Sequence, residues 1–336
     1  MVGISMNWFR VAMLLSVCAG TSVASELVFP GGSGTGRGKH VVLVSGDEEY
    51  RSEEALPQLA KILSQRHGFK CTVLFAINPG DGTIKPDRID NIPGLEALDA
   101  ADLVIFALRW RDLPDDQMAH IAQYIESGKP MIGLRTATHS FNFKNSQTYA
   151  KYSYNNKEFD GGFGRQVLGE TWISHHGKHG VQSTKGIFAP GAESHPILKG
   201  IKSGEIWGPT DVYTVKLPLP GDSKPLVLGQ VLQGMQPSDP ALDGAKNDPM
   251  MPVVWVKSYQ TTSGKQARVF TTTMGAAEDF SNDAFRRMVV NACYWTTGLE
   301  KKISPKLDVA LVGEFKPTHF GFGKYVAGRK PADYSK

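Results

Sequence analysis

Residues 129–143 read Lys-Pro-Met-Ile-Gly-Leu-Arg-Thr-Ala-Thr-His-Ser-Phe-Asn-Phe, and this stretch decides the fold. The apolar run Met131–Leu134 has the length and composition of a buried parallel strand. It breaks abruptly into small and polar residues at Arg135, Thr136, Ala137, Thr138 and His139. In open α/β sheets, ligands bind in the crevice beyond the carboxyl ends of the strands. A strand ending in Gly-x-Arg-x-Ala-x-His therefore delivers a guanidinium and an imidazole to that crevice. The segment has the layout of a nucleophile elbow with no nucleophile on it.

Working outward, strand and helix patterns alternate from His40 onward. An apolar strand at 40–44 precedes a helix running from Ser52 to about Gln65, with Glu53 and Glu54 suited to its first turn. Further strands are expected at 70–77 and 101–108, and a helix from Pro114 to about Ser127 leads into the strand at 131–134. Such alternation implies an α/β domain with a mostly parallel sheet and right-handed crossovers. Beyond Phe143 the pattern loosens. Residues 144–162 read as a long loop over the crevice, strand-like runs return at 171–175, 225–232, 252–257 and 267–273, and a helix from about Asp283 to Thr296 closes the domain. The expected division is a signal segment at 1–25, a flexible Gly-rich linker at 26–39, the domain at 40–300 and an irregular tail at 301–336.

The chain has 336 residues, 41% hydrophobic and 21% charged, with a formal net charge of +4. So small a charge argues neither way, but no Lys/Arg run supports a basic groove, and nucleic acid is not expected as a partner. Arg10 ahead of an apolar stretch at 11–20 and small residues at 21–25 reads as a secretory signal rather than a membrane span. Export to a periplasmic or extracellular space is expected. Residues 15–18 resemble a lipoprotein box, but Val17 fits poorly before Cys18, so plain export is preferred to a lipid anchor. Cys71 and Cys293 both fall in apolar runs and read as buried small hydrophobes.

Three strand ends carry charge. The first supplies Asp47, Glu48, Glu49 and Arg51, the third Arg109 and Arg111, and the fourth Arg135 and His139. All carboxyl ends of a parallel sheet face one side, so these groups converge on an Arg-rich crevice balanced by carboxylates. Arginines so placed can grip a carboxylate, a phosphate or the oxygens of a sugar. A second constellation is Trp172-Ile173-Ser174-His175-His176-Gly177-Lys178-His179. Adjacent residues on a strand point to opposite faces, so His175 and His176 do not readily share one ion. A single imidazole acting as acid or base is the better reading, and no metal or other cofactor is expected. His195, Glu278 and Asp211 are scattered polar candidates, while Trp207 and Trp255 offer flat faces for a sugar ring.

The motifs resemble those of the ThuA-like (trehalose utilisation) family within the class I glutamine amidotransferase-like superfamily. The resemblance rests on residues 41–46, 101–105 and 128–135, then on His195-Pro196-Ile197, Asp211-Val212-Tyr213, residues 252–255 and 268–271, and the closing Cys293-Tyr294-Trp295-Thr296-Thr297-Gly298. It implies a flavodoxin-like three-layer α/β/α sandwich. Amidotransferases carry a cysteine two residues beyond the turn's glycine. Here that position is Arg135, which cannot form a thioester, so glutamine hydrolysis is excluded.

The resemblance further associates the chain with disaccharide catabolism through 3-keto sugars. The expected activity is acid–base cleavage or isomerisation of a keto-glycoside. Glu49 or His139 would be the base, Arg135 with Arg109 or Arg111 the enolate stabiliser, and His176 the proton donor. Glu48, Arg51, Arg109, Arg111, Asp211 and Trp207 would bind the small-molecule carbohydrate. A non-catalytic carbohydrate-binding protein and a metal-dependent hydrolase using His175, His176 or His179 are the alternatives. Assembly into a homo-oligomer is left open.

Overall fold

The computed structural model describes residues 1–2 and 25–335, so most of the expected signal segment, with Cys18, lies outside the described residues. The chain order is β1 (Glu26–Phe29), β2 (His40–Gly46), α1 (Ser52–His67), β3 (Lys70–Phe75), β4 (Leu103–Leu108), α2 (Asp115–Glu126) and β5 (Met131–Leu134). It continues through β6 (Ser174–His175), β7 (Thr184–Phe188), β8 (Ile206–Gly208), β9 (Tyr213–Thr214), β10 (Lys224–Val231), β11 (Met251–Gln260), β12 (Gln266–Thr272) and α3 (Asp283–Thr296).

One ten-stranded sheet has the order β1-β3-β2-β4-β5-β12-β11-β10-β7-β8, and β6 and β9 form a separate two-stranded ribbon. The run β3-β2-β4-β5-β12 is parallel. β11, β10, β7 and β8 extend it antiparallel, and β1 closes the other edge antiparallel to β3. The sheet is therefore mixed, with the expected parallel strands as its core. The reason lies in the β11–β12 connection. Those strands run on to Gln260 and from Gln266, leaving only a tight turn between them. A turn that short forces a hairpin, since a parallel return needs a crossover of a dozen residues or more.

Helices cover both faces of the sheet. Leu56, Leu59 and Leu63 of α1 and Phe285, Met288 and Val289 of α3 pack with Val41, Leu43, Ile105 and Ile132. Met118, Ile121 and Ile125 of α2 pack with Val42, Val44, Val104 and Phe106 on the other side. Neighbouring residues of β2 thus face opposite cores, and a continuous apolar strand is what burial on both faces requires. Phe141, Tyr152 and Phe163 join the α2 side, so the segment at 144–162 is anchored in packing beside the crevice.

One segment differs from its sequence reading. Residues 26–39 include a paired strand, β1, and the Gly-rich turn after it packs on the end of α1, where Gly36 N–H donates to His67 C=O at 2.7 Å. The tail at 301–336 is irregular, as expected, and crosses back over the molecule, where Thr318 bonds Glu54 of α1 through both its backbone and its hydroxyl, at 2.7 and 2.8 Å. Cys71 and Cys293 are buried and free, and burial pushes both thiols up. Among the described residues no helix is long and apolar enough to cross a membrane.

Candidate functional site

Three parallel strands end in the same unusual way. Arg51 after β2, Trp110 after β4 and Arg135 after β5 all have left-handed backbone, with φ of 60°, 50° and 46°. Left-handed φ is uncommon outside glycine, and strained residues of this kind cluster at functional sites. At Arg135 the strand breaks directly into a single 3₁₀ turn, Arg135–His139. The sharp geometry of a nucleophile elbow is therefore present, with arginine at its apex.

Arg135 points inward, not into the crevice. It is 1% exposed, its guanidinium lying between the rings of Tyr213 and Tyr50 at 3.9 and 4.3 Å. It donates to the backbone oxygens of Asp211 and Thr273 at 2.8 and 2.6 Å, to Tyr50 Oη at 3.0 Å and to Asp211 Oδ1 at 2.7 Å. Its chemistry is thus to hold Asp211. His139 is buried as well, its ring against Trp110, Trp172 and Tyr213. Burial, reinforced by Arg109 and Arg135, drives its pKa well below the usual imidazole value and keeps it neutral.

Asp211 is the hub of the centre. Its Oδ2 accepts from His175 Nδ1 at 2.7 Å, and its Oδ1 lies 3.2 Å from His179 Nδ1. His179 Nε2 lies 3.2 Å from Glu49 Oε1, so one imidazole spans two carboxylates. Asp211 first and Glu49 second raise the His179 pKa to about 9. Burial opposes ionisation of Asp211, but Arg135 and the two histidines outweigh it and hold its carboxyl below the ordinary carboxylate range. His175 is 40% exposed, and among the described residues no group is bonded to its Nε2. Bonding through Nδ1 to a carboxylate fixes the other nitrogen as the one that faces solvent.

The local backbone explains this convergence. β6 pairs with β9, setting His175 opposite Tyr213, and His176 and Gly177 both donate to Val212 C=O. A Cβ at Gly177 would sit 3.1 Å from Asp211 Cβ, so a side chain there would crowd the approach. The chain then turns back and brings His179 beside His175, with ring centroids 5.0 Å apart. The ligand atoms of His175, His179 and Asp211 lie within 4.8 Å of one another, close enough to hold a metal ion.

The charged border is organised in pairs. Glu48 accepts from Arg109 and, at 2.6 Å, from Arg111 Nη2. Arg111 is fully buried and also donates to the backbone oxygens of Arg109, Pro86 and Arg88. Arg109 lies between Trp110 and Phe322 at 3.8 and 4.9 Å, with its Nε 3.7 Å from Glu49. Arg51 is buried and donates to Gly321 C=O. Asp47 shapes the loop by accepting from Glu49 N–H at 2.8 Å and Thr136 Oγ1 at 2.8 Å.

Of the residues read from sequence, Glu48, Glu49, Arg109, Arg135, His139 and Asp211 come together around this centre. Arg51 and Arg111 support it from beneath. His176 is not brought to it: its Nε2 bonds Lys246 C=O at 2.8 Å, on the opposite side of the strand from His175. Trp207 lies on β8, bonded through Nε1 to Ser183 Oγ, in a separate cleft with Glu278 and His319. Trp255 is wholly buried and donates to Leu168 C=O at 2.7 Å, a core role that leaves no face for a sugar. Sequence reasoning gave His175 and His179 a part only in the alternative metal-dependent reading, where the structure does bring them together with Asp211, and missed Tyr50, Tyr213 and Phe320 around them. The alternation rule separating His175 from His176 did point to one of the two facing the crevice.

The comparisons with known proteins bear on the whole of this domain. The family profile ThuA, described as trehalose utilisation, matches residues 40–296. No curated protein matches the chain. Among solved structures, a ThuA-like protein of Bacteroides uniformis aligns at 17% identity and a TM-score of 0.48, over 83% of this chain and 100% of its own. A ThuA-like protein of Parabacteroides merdae aligns at 15% identity and a TM-score of 0.47, over 89% and 99%. With most of its length matched by that profile, the chain belongs to the ThuA family of trehalose utilisation.

Proposed function

We propose that this is an exported carbohydrate-catabolism enzyme that cleaves or isomerises a keto-glycoside by acid–base chemistry. Membership of a trehalose-utilisation family supports the carbohydrate assignment, and the targeting pattern at 1–25 supports export. Helices on both faces of the sheet suit a flavodoxin-like three-layer sandwich of the amidotransferase-like superfamily, and Arg135 at the elbow bars thioester chemistry. One observation carries the reading: His175 is held by Asp211 through Nδ1 and turns an unpartnered Nε2 to the crevice.

A keto group makes the neighbouring C–H acidic, so the reaction needs a base and positive charge near the forming enolate. His175 Nε2 takes the proton, as an imidazole oriented by a carboxylate does. In cleavage the enolate then breaks the C–O bond to the leaving sugar, whose oxygen takes the proton back from the His175 imidazolium, and in isomerisation that proton returns to carbon. The His179 cation and Arg109 supply the positive charge. Asp211 and Arg135 fix the histidines, and Glu49 fixes His179. In this scheme the base is His175 rather than His139, and Arg135 positions Asp211 rather than touching substrate. An NMR time course of the purified protein with a 3-keto-disaccharide tests the proposal. New sugar signals support it, and broadening of the sugar lines without chemical change would make the protein a binding module instead.

A second reading, a metal-dependent hydrolase, is favoured by the convergence of His175, His179 and Asp211. Two histidines and a carboxylate with an open position are a donor set that suits zinc. Stoichiometric zinc in the purified protein and loss of turnover on chelation support that reading. Undiminished turnover by metal-free protein rejects it.

A further inference from the structure

The C-terminal tail lies outside the matched family region, which ends at residue 296, yet three of its consecutive residues border the charged centre. Phe320 packs on Tyr50 and His179, with ring centroids 5.5 and 5.4 Å away. Gly321 is held from both sides: its N–H donates to Glu49 C=O at 2.8 Å, and its C=O accepts from Arg51. The Arg109 guanidinium lies over the Phe322 ring at 4.9 Å as well as over Trp110 at 3.8 Å. The segment is fixed further by Phe320 N–H on Glu278 at 3.2 Å and by Thr318 on Glu54. Backbone pinned in this way is set in place before any ligand arrives.

Phe320 and Phe322 share this strap but not its exposure. Phe320 is 3% exposed, while Phe322 is 59% exposed, the most exposed large hydrophobic residue among the described residues after Met1 and Val2. Its backbone neighbour is pinned, one ring face is occupied by Arg109, and the remaining ring surface is open at the rim of the crevice. A fixed, exposed aromatic ring beside a polar cleft is a surface on which the C–H face of a sugar stacks.

We propose that the tail residues 319–323 form a substrate subsite, in which Phe322 carries the second ring of a disaccharide whose first ring lies at His175. This rests on reading the crevice as a carbohydrate site. A disaccharide is the class that a trehalose-utilisation family implies, and the tail's part is to supply a face for its second ring. The subsite gives the tail, which the family match omits, a direct part in selecting the substrate.

Calorimetric binding of trehalose and of methyl glucoside to the full chain, wild type and Phe322→Ala, tests this. Phe322 is exposed, so the substitution leaves the fold intact. Trehalose affinity is expected to fall about tenfold, the size of one lost aromatic contact, with methyl glucoside affinity unchanged. Phe322→Trp is expected to restore trehalose binding. Equal trehalose binding by wild type and Phe322→Ala overturns the subsite and leaves the crevice reading intact. Absence of sugar binding by the wild type overturns both. Sugar bound through Phe322 with no turnover of a keto-disaccharide overturns the catalytic reading alone.

Discussion

Replacing Arg135 with methionine separates the two roles this residue could have. In the structure its guanidinium makes four hydrogen bonds, two to backbone oxygens, one to Tyr50 and one to Asp211, and it is 1% exposed. Methionine fills much of the slot between Tyr50 and Tyr213 but strands the buried Asp211 carboxylate with only the two histidines. Breaking a buried ion pair by removing one partner costs about 3–5 kcal/mol. The orphaned backbone oxygens of Asp211 and Thr273 add about 1 kcal/mol or more. A total of roughly 5 kcal/mol corresponds to a fall in Tm of about 10 °C for a chain of this size. Thermal unfolding followed by circular dichroism reads this directly. A variant that melts within about 2 °C of wild type but has lost turnover would refute the reasoning, since Arg135 would then act on substrate.

Two further predictions concern pH. Burial pushes the Glu53 carboxyl to about 8 against the pull of Arg51, and both its oxygens are buried without a hydrogen bond. The native state therefore keeps a proton that the unfolded chain releases near 4.5, and stability falls as pH rises from there to about 8. Glu53→Gln is expected to flatten that slope in denaturant titrations, and an unchanged slope would count against it. His179 has its folded pKa raised to about 9, so its stabilisation is present below about 6.5 and lost as pH rises through about 9. His179→Gln is expected to remove that alkaline limb, while leaving the Glu53 slope in place. At 35% exposure the His179 effect is screened and smaller than burial of a full ion pair would give.

The parallel core was legible because its strands are buried on both faces and read as unbroken apolar runs, residues 41–44 and 131–134 above all. The antiparallel extension was less so. β7 and β8 are five and three residues long, and so short a strand carries no periodicity. The convergence of Glu49, Arg109 and Arg135 followed from where parallel strands end, whereas Asp211, between the antiparallel β8 and the ribbon strand β9, was only a scattered candidate. Which of them reach solvent did not. Arg135 is buried by Tyr50 and Tyr213, one before it and one far beyond it in the chain, and nothing local to Arg135 announces them. His139 is hidden in the same way by Trp110 and Trp172. The proposed base is therefore His175, which is 40% exposed, with His179 joining Arg109 as the proposed source of positive charge. The tail read as irregular, but its part in the site had no signal, since its contacts with Glu49, Arg51 and His179 arise only once the chain has crossed the molecule.

The central claim is that His175, oriented by Asp211, removes a proton beside a keto group. Incubating a 3-keto-disaccharide in D₂O with wild-type protein and with His175→Gln, and following deuterium incorporation by mass spectrometry, tests it most directly. The account predicts incorporation by the wild type and a loss of roughly a hundredfold or more in the variant, the scale of general-base catalysis. Equal incorporation by both proteins, or none by the wild type, would contradict it.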